Sequence, residues 1–330
     1  MALFLPLVAI LLIVLVANLV DLSIDETADQ RFAWAIALLN LPLVAAGLAL
    51  LLLPEATSDA FLAAGLPEID SAAAGWVLTG TAFWAILATM GPFRDFLARF
   101  TAVEPASAVH LTALVLAGYL VGNTALTLSQ DLLADLSVAD LSVGVFDVVL
   151  QQVAFVAVAF VGVGMFTRRS WSDTLQRLGL VRPTWRQLGL GVIVIFGLVI
   201  IQGVVGGIWA LMEPSQAQEL GSINDALLSG FDTPGEWFVL AVASGLGEEV
   251  LFRGAVQPVF GLGITSLLFA IVHVQYGLTP ITAVVFLLGL ILGIVRLRTN
   301  TTVAVFVHFG YNFTLGLLSL LALYLEQFIS

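Results

Sequence analysis

Residues 236–256 read EWFVLAVASGLGEEVLFRGAV. This is an apolar, helix-length run carrying two adjacent carboxylates, Glu248 and Glu249, and one guanidinium, Arg253. Its flanks are long enough to place those charges in hydrocarbon. There a charged side chain costs about 2.5–3.5 kcal/mol near the bilayer centre, and such residues are kept for function.

The same hydropathy recurs outward in both directions. The chain has 330 residues, of which 60% are hydrophobic and only 10% charged; mean hydropathy is +1.07. Soluble domains carry roughly 25% charged residues. Apolar runs at 3–20, 32–53, 72–91, 106–127, 145–166, 188–212, 236–256, 262–276, 280–297 and 302–325 predict an all-α, polytopic transmembrane bundle of about ten spans, eight at the fewest. The run 262–276 is short for a crossing, which points to a tilted, extended or re-entrant segment. The run 3–20 has no positive n-region and no small-residue cleavage site, so it is expected to be a retained first span.

Charge sorts the loops. All 11 basic residues are Arg, and against 23 acids they leave a net charge of −12. With alternating spans every Arg falls on one side: Arg31, then Arg94 and Arg99, then Arg168, Arg169, Arg177, Arg182 and Arg186, then Arg253, then Arg296 and Arg298. The opposite loops carry acids: Glu55, Asp59, Glu68 and Asp70, then Asp131, Asp135 and Asp140, then Glu213, Glu219, Asp225, Asp232 and Glu236. The Arg side is expected to be cytoplasmic, with both termini outside a multi-pass cell-membrane protein. An acidic chain without Lys suits high salt, where repulsion is screened over about 3 Å at 1 M; a halophilic source is expected. There is no Cys, which excludes disulfides, thiolate nucleophiles and cysteine metal sites. No nucleotide or nucleic-acid motif is present; Gly261-x-Gly263 is too short to count.

Chemistry is confined to the later part of the chain. On a helix Glu249 and Arg253 are i, i+4 and share a face, while Glu248 points about 100° away. One carboxylate is thus paired and the other left free to act as a general base. The small residues Ala241, Ser244, Gly245 and Gly247 before them permit close helix approach. A purely structural Glu–Arg clip explains Glu249 and Arg253 but leaves Glu248 without a reason. Phe269 and His273 form a second i, i+4 pair, an aromatic wall beside an imidazole. His308 and Asn312 form a third, able to donate hydrogen bonds to one developing oxyanion. Each of these two also has a plain reading as packing or interhelical polar contact, the latter worth about 0.6 kcal/mol. His110, near an end of the fourth span, is expected to be an interfacial or packing residue.

In order and spacing, Glu248-Glu249-x-x-x-Arg253, Phe269-x-x-x-His273 and His308-x-x-x-Asn312 resemble the signature of the CPBP intramembrane proteases, the family of the type II CAAX prenyl endopeptidases. Leu251-Phe252-Arg253-Gly254, Gly289 to Gly293 and Arg298-Thr299-Asn300 are also similar. The motifs cover about 236–325, and the likeness extends over 141–330 as a protease domain; residues 1–140, of unassigned role, resemble nothing nameable. The resemblance implies that Glu248, helped by His273, activates a water. It implies that His308 and Asn312 stabilise the oxyanion, and that Glu249, Arg253 and Phe269 position the helices. No cofactor is then needed; in the metal-dependent alternative Glu248, His273 and His308 would hold zinc. The implied function is an endopeptidase acting on a membrane-associated, CAAX-type or other peptide substrate within the lipid bilayer, with no nucleic-acid partner. A non-catalytic scaffold or immunity-type protein on the same fold, and a transporter using the charges as an ion path, are the alternatives; no repeated broken-helix halves support the last.

Overall fold

The computed structural model describes residues 4–25, 27–53, 69–130 and 144–327. The loop acids Glu55, Asp59, Glu68, Asp131, Asp135 and Asp140 lie outside the described residues, as does the 140/141 division. Among the described residues there is no strand, and eight helices are long and apolar enough to cross a membrane. The protein is an all-α polytopic bundle.

The chain forms two compact units: Met1–Leu15 with Leu136–Ser330, and Val16–Asp135. In the second unit, α2 (Ala28–Leu51), α3 (Ser71–Ala88), the short α4 (Gly91–Leu97) and α5 (Ala108–Ser129) follow the end of α1 (Phe4–Val20). Gly47 lets α2 and α3 touch, since a Cβ there would lie 2.8 Å from Thr79 N and 2.9 Å from Gly75 O. Asp21 caps α5, accepting from Ala108 N at 2.6 Å and from Ser107 Oγ at 2.8 Å. Tyr119 donates to Asn40 Oδ1 at 2.6 Å, which satisfies two polar groups inside apolar helices. The His110 ring does local backbone work: its Nδ1 accepts from Glu104 N at 2.9 Å.

The first unit carries the remaining elements: α6 (Val145–Gly162), α7 (Trp171–Arg177), α8 (Trp185–Met212), α9 (Pro214–Leu228), α10 (Pro234–Glu249), a π-helix (Val250–Val256), α11 (Gln257–Ile271), a 3₁₀ turn (Val274–Tyr276), α12 (Pro280–Arg298) and α13 (Thr301–Glu326). Helix α10 begins with a capping box. Thr233 Oγ1 accepts from Glu236 N, the Glu236 carboxylate accepts from Thr233 N at 2.9 Å, and Pro234 sits at the first helical position. One face of α10 packs on α13 and another on α6.

The runs read as 236–256 and 262–276 form one helical stretch, 234–271, broken at Gly261, whose φ of 79° and ψ of 174° suit glycine alone. The chain doubles back there. In a straight helix Arg253 and Phe269 would be about 24 Å apart, yet the Arg253 guanidinium lies 4.4 Å from the Phe269 ring centre. The returning limb, 262–271, is only about 15 Å long. It packs antiparallel on α12, with Ser266 against Gly289 and Leu262 against Gly293. It then unwinds at His273. The short run is therefore a half-depth limb.

Gly261→Ala is expected to cost about 1–3 kcal/mol from backbone strain alone, because a Cβ there meets nothing within 4 Å. Gly263 has equal space and an ordinary backbone. Thermal unfolding of Gly261→Ala should fall below wild type, and that of Gly263→Ala should not.

Over the unwound segment lies α9, which the sequence reading had left as an acidic loop. Ala217 and Leu220 pack with Trp209, Ile281 and Tyr276; Ile223 is also buried, and the first turn of the helix is exposed. At the opposite end of this unit, Arg177 donates to Gly254 O at 3.1 Å and Thr301 N donates to Gly179 O at 3.1 Å. The Arg177 guanidinium is held below its usual range, by burial first and then by the charges of Arg169, Arg296 and Arg168. Arg residues from the α6–α8 connection and from the end of α12 thus gather at one end.

Candidate active site

Of the seven residues singled out in the sequence, Asn312 stands apart and five fall into two adjoining groups around Phe269. That ring is fully buried. Its centre is 4.8 Å from the His273 ring, 5.9 Å from His308 and 5.3 Å from Phe252.

The first group is sealed. Glu249 and Arg253 have no exposed surface, and Arg253 Nε lies 3.2 Å from Glu249 Oε2. The other Glu249 oxygen lies 3.0 Å from His308 Nδ1. One carboxylate therefore faces two cationic or donor groups, from its own helix and from α13. Among the described residues the two terminal guanidinium nitrogens find no hydrogen-bond partner; the Phe269 ring face takes that charge instead. Glycine brings α13 close enough: a Cβ at Gly245 would lie 2.9 Å from Phe309 N and 3.2 Å from Val305 O.

The π-helix places the arginine. Phe252, Arg253 and Gly254 are buried in succession there, in the wider i→i+5 winding that often marks functional sites. No sequence signal marked it.

The second group stays accessible. Glu248 and His273 retain 12% and 19% of side-chain exposure, and His273 Nε2 lies 3.8 Å from Glu248 Oε2. His273 Nδ1 lies 2.7 Å from Phe269 O. A carbonyl only accepts, so Nδ1 carries the proton and Nε2 is turned to Glu248. The 3.8 Å gap is too long for a hydrogen bond and suits a water held between the two. Tyr276 stacks on His273, with centres 6.1 Å apart and planes within 4°.

Asn312 and His308 occupy successive turns of α13 but face different partners. Asn312 Nδ2 donates to Ser244 Oγ at 2.9 Å, which leaves its second N–H available. Sequence reasoning had also passed over Gln152 on α6. Its Nε2 donates to Glu248 Oε1 at 3.4 Å. The adjacent Gln151 and Gln152, past the first turn of an apolar span, were the available signal.

The structure does not gather Glu248, His273 and His308 as a zinc ligand set. Among the described residues no three His, Cys, Asp or Glu side chains converge in that way. The Nδ1 of His308 is turned to Glu249.

Comparison with known proteins agrees with the motif reading. Residues 231–314 match the family described as type II CAAX prenyl endopeptidase, Rce1-like. That stretch contains all seven residues and coincides with the one the motifs mark out. An uncharacterized protein of Bacillus subtilis (strain 168), YpbD, is 35% identical over 105 residues, covering 30% of this chain and 55% of that protein. The chain thus spans about half the length of the curated relative it matches. No solved structure matches.

Proposed function

We propose that this chain is an intramembrane endopeptidase that hydrolyses a peptide bond of a membrane-associated substrate. The observation that carries the reading is the division of labour between neighbouring carboxylates. Glu249 is spent on Arg253 and His308 in a sealed core, while Glu248 faces His273 in a partly open one. Adjacent residues with such different surroundings are the pattern of one structural and one reactive acid.

The chemistry follows from the donors present. A water between Glu248 and His273 gives a proton to Glu248 as its oxygen attacks the scissile carbonyl. The carbonyl oxygen becomes an oxyanion, which His308 Nε2–H and the second Asn312 N–H stabilise. His308 already offers Nδ1–H to Glu249, so donation from Nε2 requires the imidazolium form; with Arg253 that makes two positive charges, which Glu249 and the neighbouring Glu248 together match. The proton taken from water passes to the departing amine as the C–N bond breaks. In this reading the Arg-rich end faces the cytoplasm, and the half-depth limb opens a water path to His273. CAAX-type peptides are the first substrates to test, because the matched family is described by that activity.

Comparing membrane peptides from cells carrying wild type, Glu248→Ala and Glu249→Ala tests the proposal. A product present with wild type and absent with Glu248→Ala is the expected result, and it identifies the substrate. Identical peptide sets from wild type and folded, abundant Glu248→Ala would overturn the reading in favour of a scaffold on the same fold.

A further inference from the structure

We propose that Gln152 is a positioning residue of this site, holding Glu248 by one carboxylate oxygen so that the other is presented to His273. Its kinetic consequence rests on the endopeptidase reading; its structural content does not.

Gln152 is buried, with 6% of its surface exposed, in a helix 96 residues before Glu248. A buried amide in an apolar span is costly unless its groups are used. Its Nε2 donates to Glu248 Oε1. The reverse amide orientation would set two acceptors against each other, so the carboxylate fixes which end faces it.

Gly247 is part of the same device. A Cβ at position 247 would lie 2.2 Å from Gln152 Oε1, 2.7 Å from its Cβ and 2.9 Å from its Cα. The clash includes backbone, so only glycine beside Glu248 lets α6 come this close. The approach delivers the amide to the one carboxylate that Arg253 and His308 do not engage.

What remains around Glu248 also points to a ligand. Gln152 Oε1 and Glu248 Oε2 are both buried acceptors that take no hydrogen bond from the described residues. Two acceptors in one site complement the two protons of a single water. A glutamine serving only to join α6 to α10 would satisfy its oxygen on the partner helix.

The test uses the full chain in lipid nanodiscs and the near-isosteric Gln152→Met, which keeps the packing and removes the amide. The infrared difference between wild type and Glu248→Gln isolates the Glu248 carboxyl bands without any substrate. Those bands should shift in the Gln152→Met background; superimposable bands would overturn the proposal. With a peptide that wild type cleaves and Glu248→Ala does not, Gln152→Met should lower kcat by up to about 10²-fold, the scale of a misplaced reacting group. KM and the melting temperature should stay near wild type. Wild-type kcat, or a loss of kcat that tracks a loss of melting temperature, would make Gln152 helix glue. If wild type cleaves no peptide the protease reading falls, and the infrared bands alone decide whether Gln152 holds Glu248.

Discussion

Arg253→Ala is expected to destabilise the carboxy-terminal bundle by about 3–5 kcal/mol, the cost of stranding one member of a buried ion pair. Arg253 and Glu249 are both fully buried. The guanidinium also covers Phe269 at 4.4 Å, so truncation removes packing along with charge. The His308 bond would remain the only support for the Glu249 carboxylate. Glu249→Gln combined with Arg253→Met keeps much of the volume and leaves no buried charge behind, so it should recover a large part of the loss. Melting curves in nanodiscs for wild type, the single variant and the double variant check this. A single variant as stable as wild type would mean that the pair does not hold the fold.

The two histidines should separate in the opposite sense. His273→Ala removes an imidazole that retains some exposure and contacts Glu248 and one carbonyl. It should cost about 10²–10⁴-fold in turnover, the range for a group that takes part in proton transfer. Its melting temperature should hardly move. His308→Ala opens a cavity and takes one of the two partners from a fully buried carboxylate. It should lose about 10²–10³-fold in turnover through the missing oxyanion donor and fall in melting temperature as well. Turnover and melting measured on the same preparations decide it. Equal stability losses for both variants would undo the division into a sealed group and an open one.

Much of this was legible because it rests on spacing. The i, i+4 relation of Glu249 to Arg253 predicts their pairing, and the pair is present at 3.2 Å. The break between the runs 236–256 and 262–276 predicts a turn, and Gly261 makes it. The length of the second limb was less legible. Hydropathy counts apolar residues and does not register that the helix stops at Val272, so a half-depth limb reads as a thin span. Helix α9 was missed for the converse reason: its buried Leu220 and Ile223 sit among polar residues, and a surface-lying amphipathic helix looks like loop to a hydropathy average. The π-helix was out of reach, since its winding depends on what Arg253 finds when it turns inward. His308 was placed with Asn312 because they share a helix face. Tertiary packing gives its Nδ1 to Glu249, 59 residues away. Gln152 stands out in the sequence as a polar residue in an apolar span, but its partner Glu248 shows only once Gly247 is seen beside it.

The order in which the parts arrive matters for a molecule with this site. The contacts of the Gly261 hairpin are local, so Arg253 can meet Glu249 and Phe269 before α13 docks. His308 emerges last, on α13. Until that helix docks, the buried carboxylate has one partner instead of two and no oxyanion donor is in place. Assembly of the site thus waits on α13: before it docks, Glu248 and His273 face each other without His308 and Asn312.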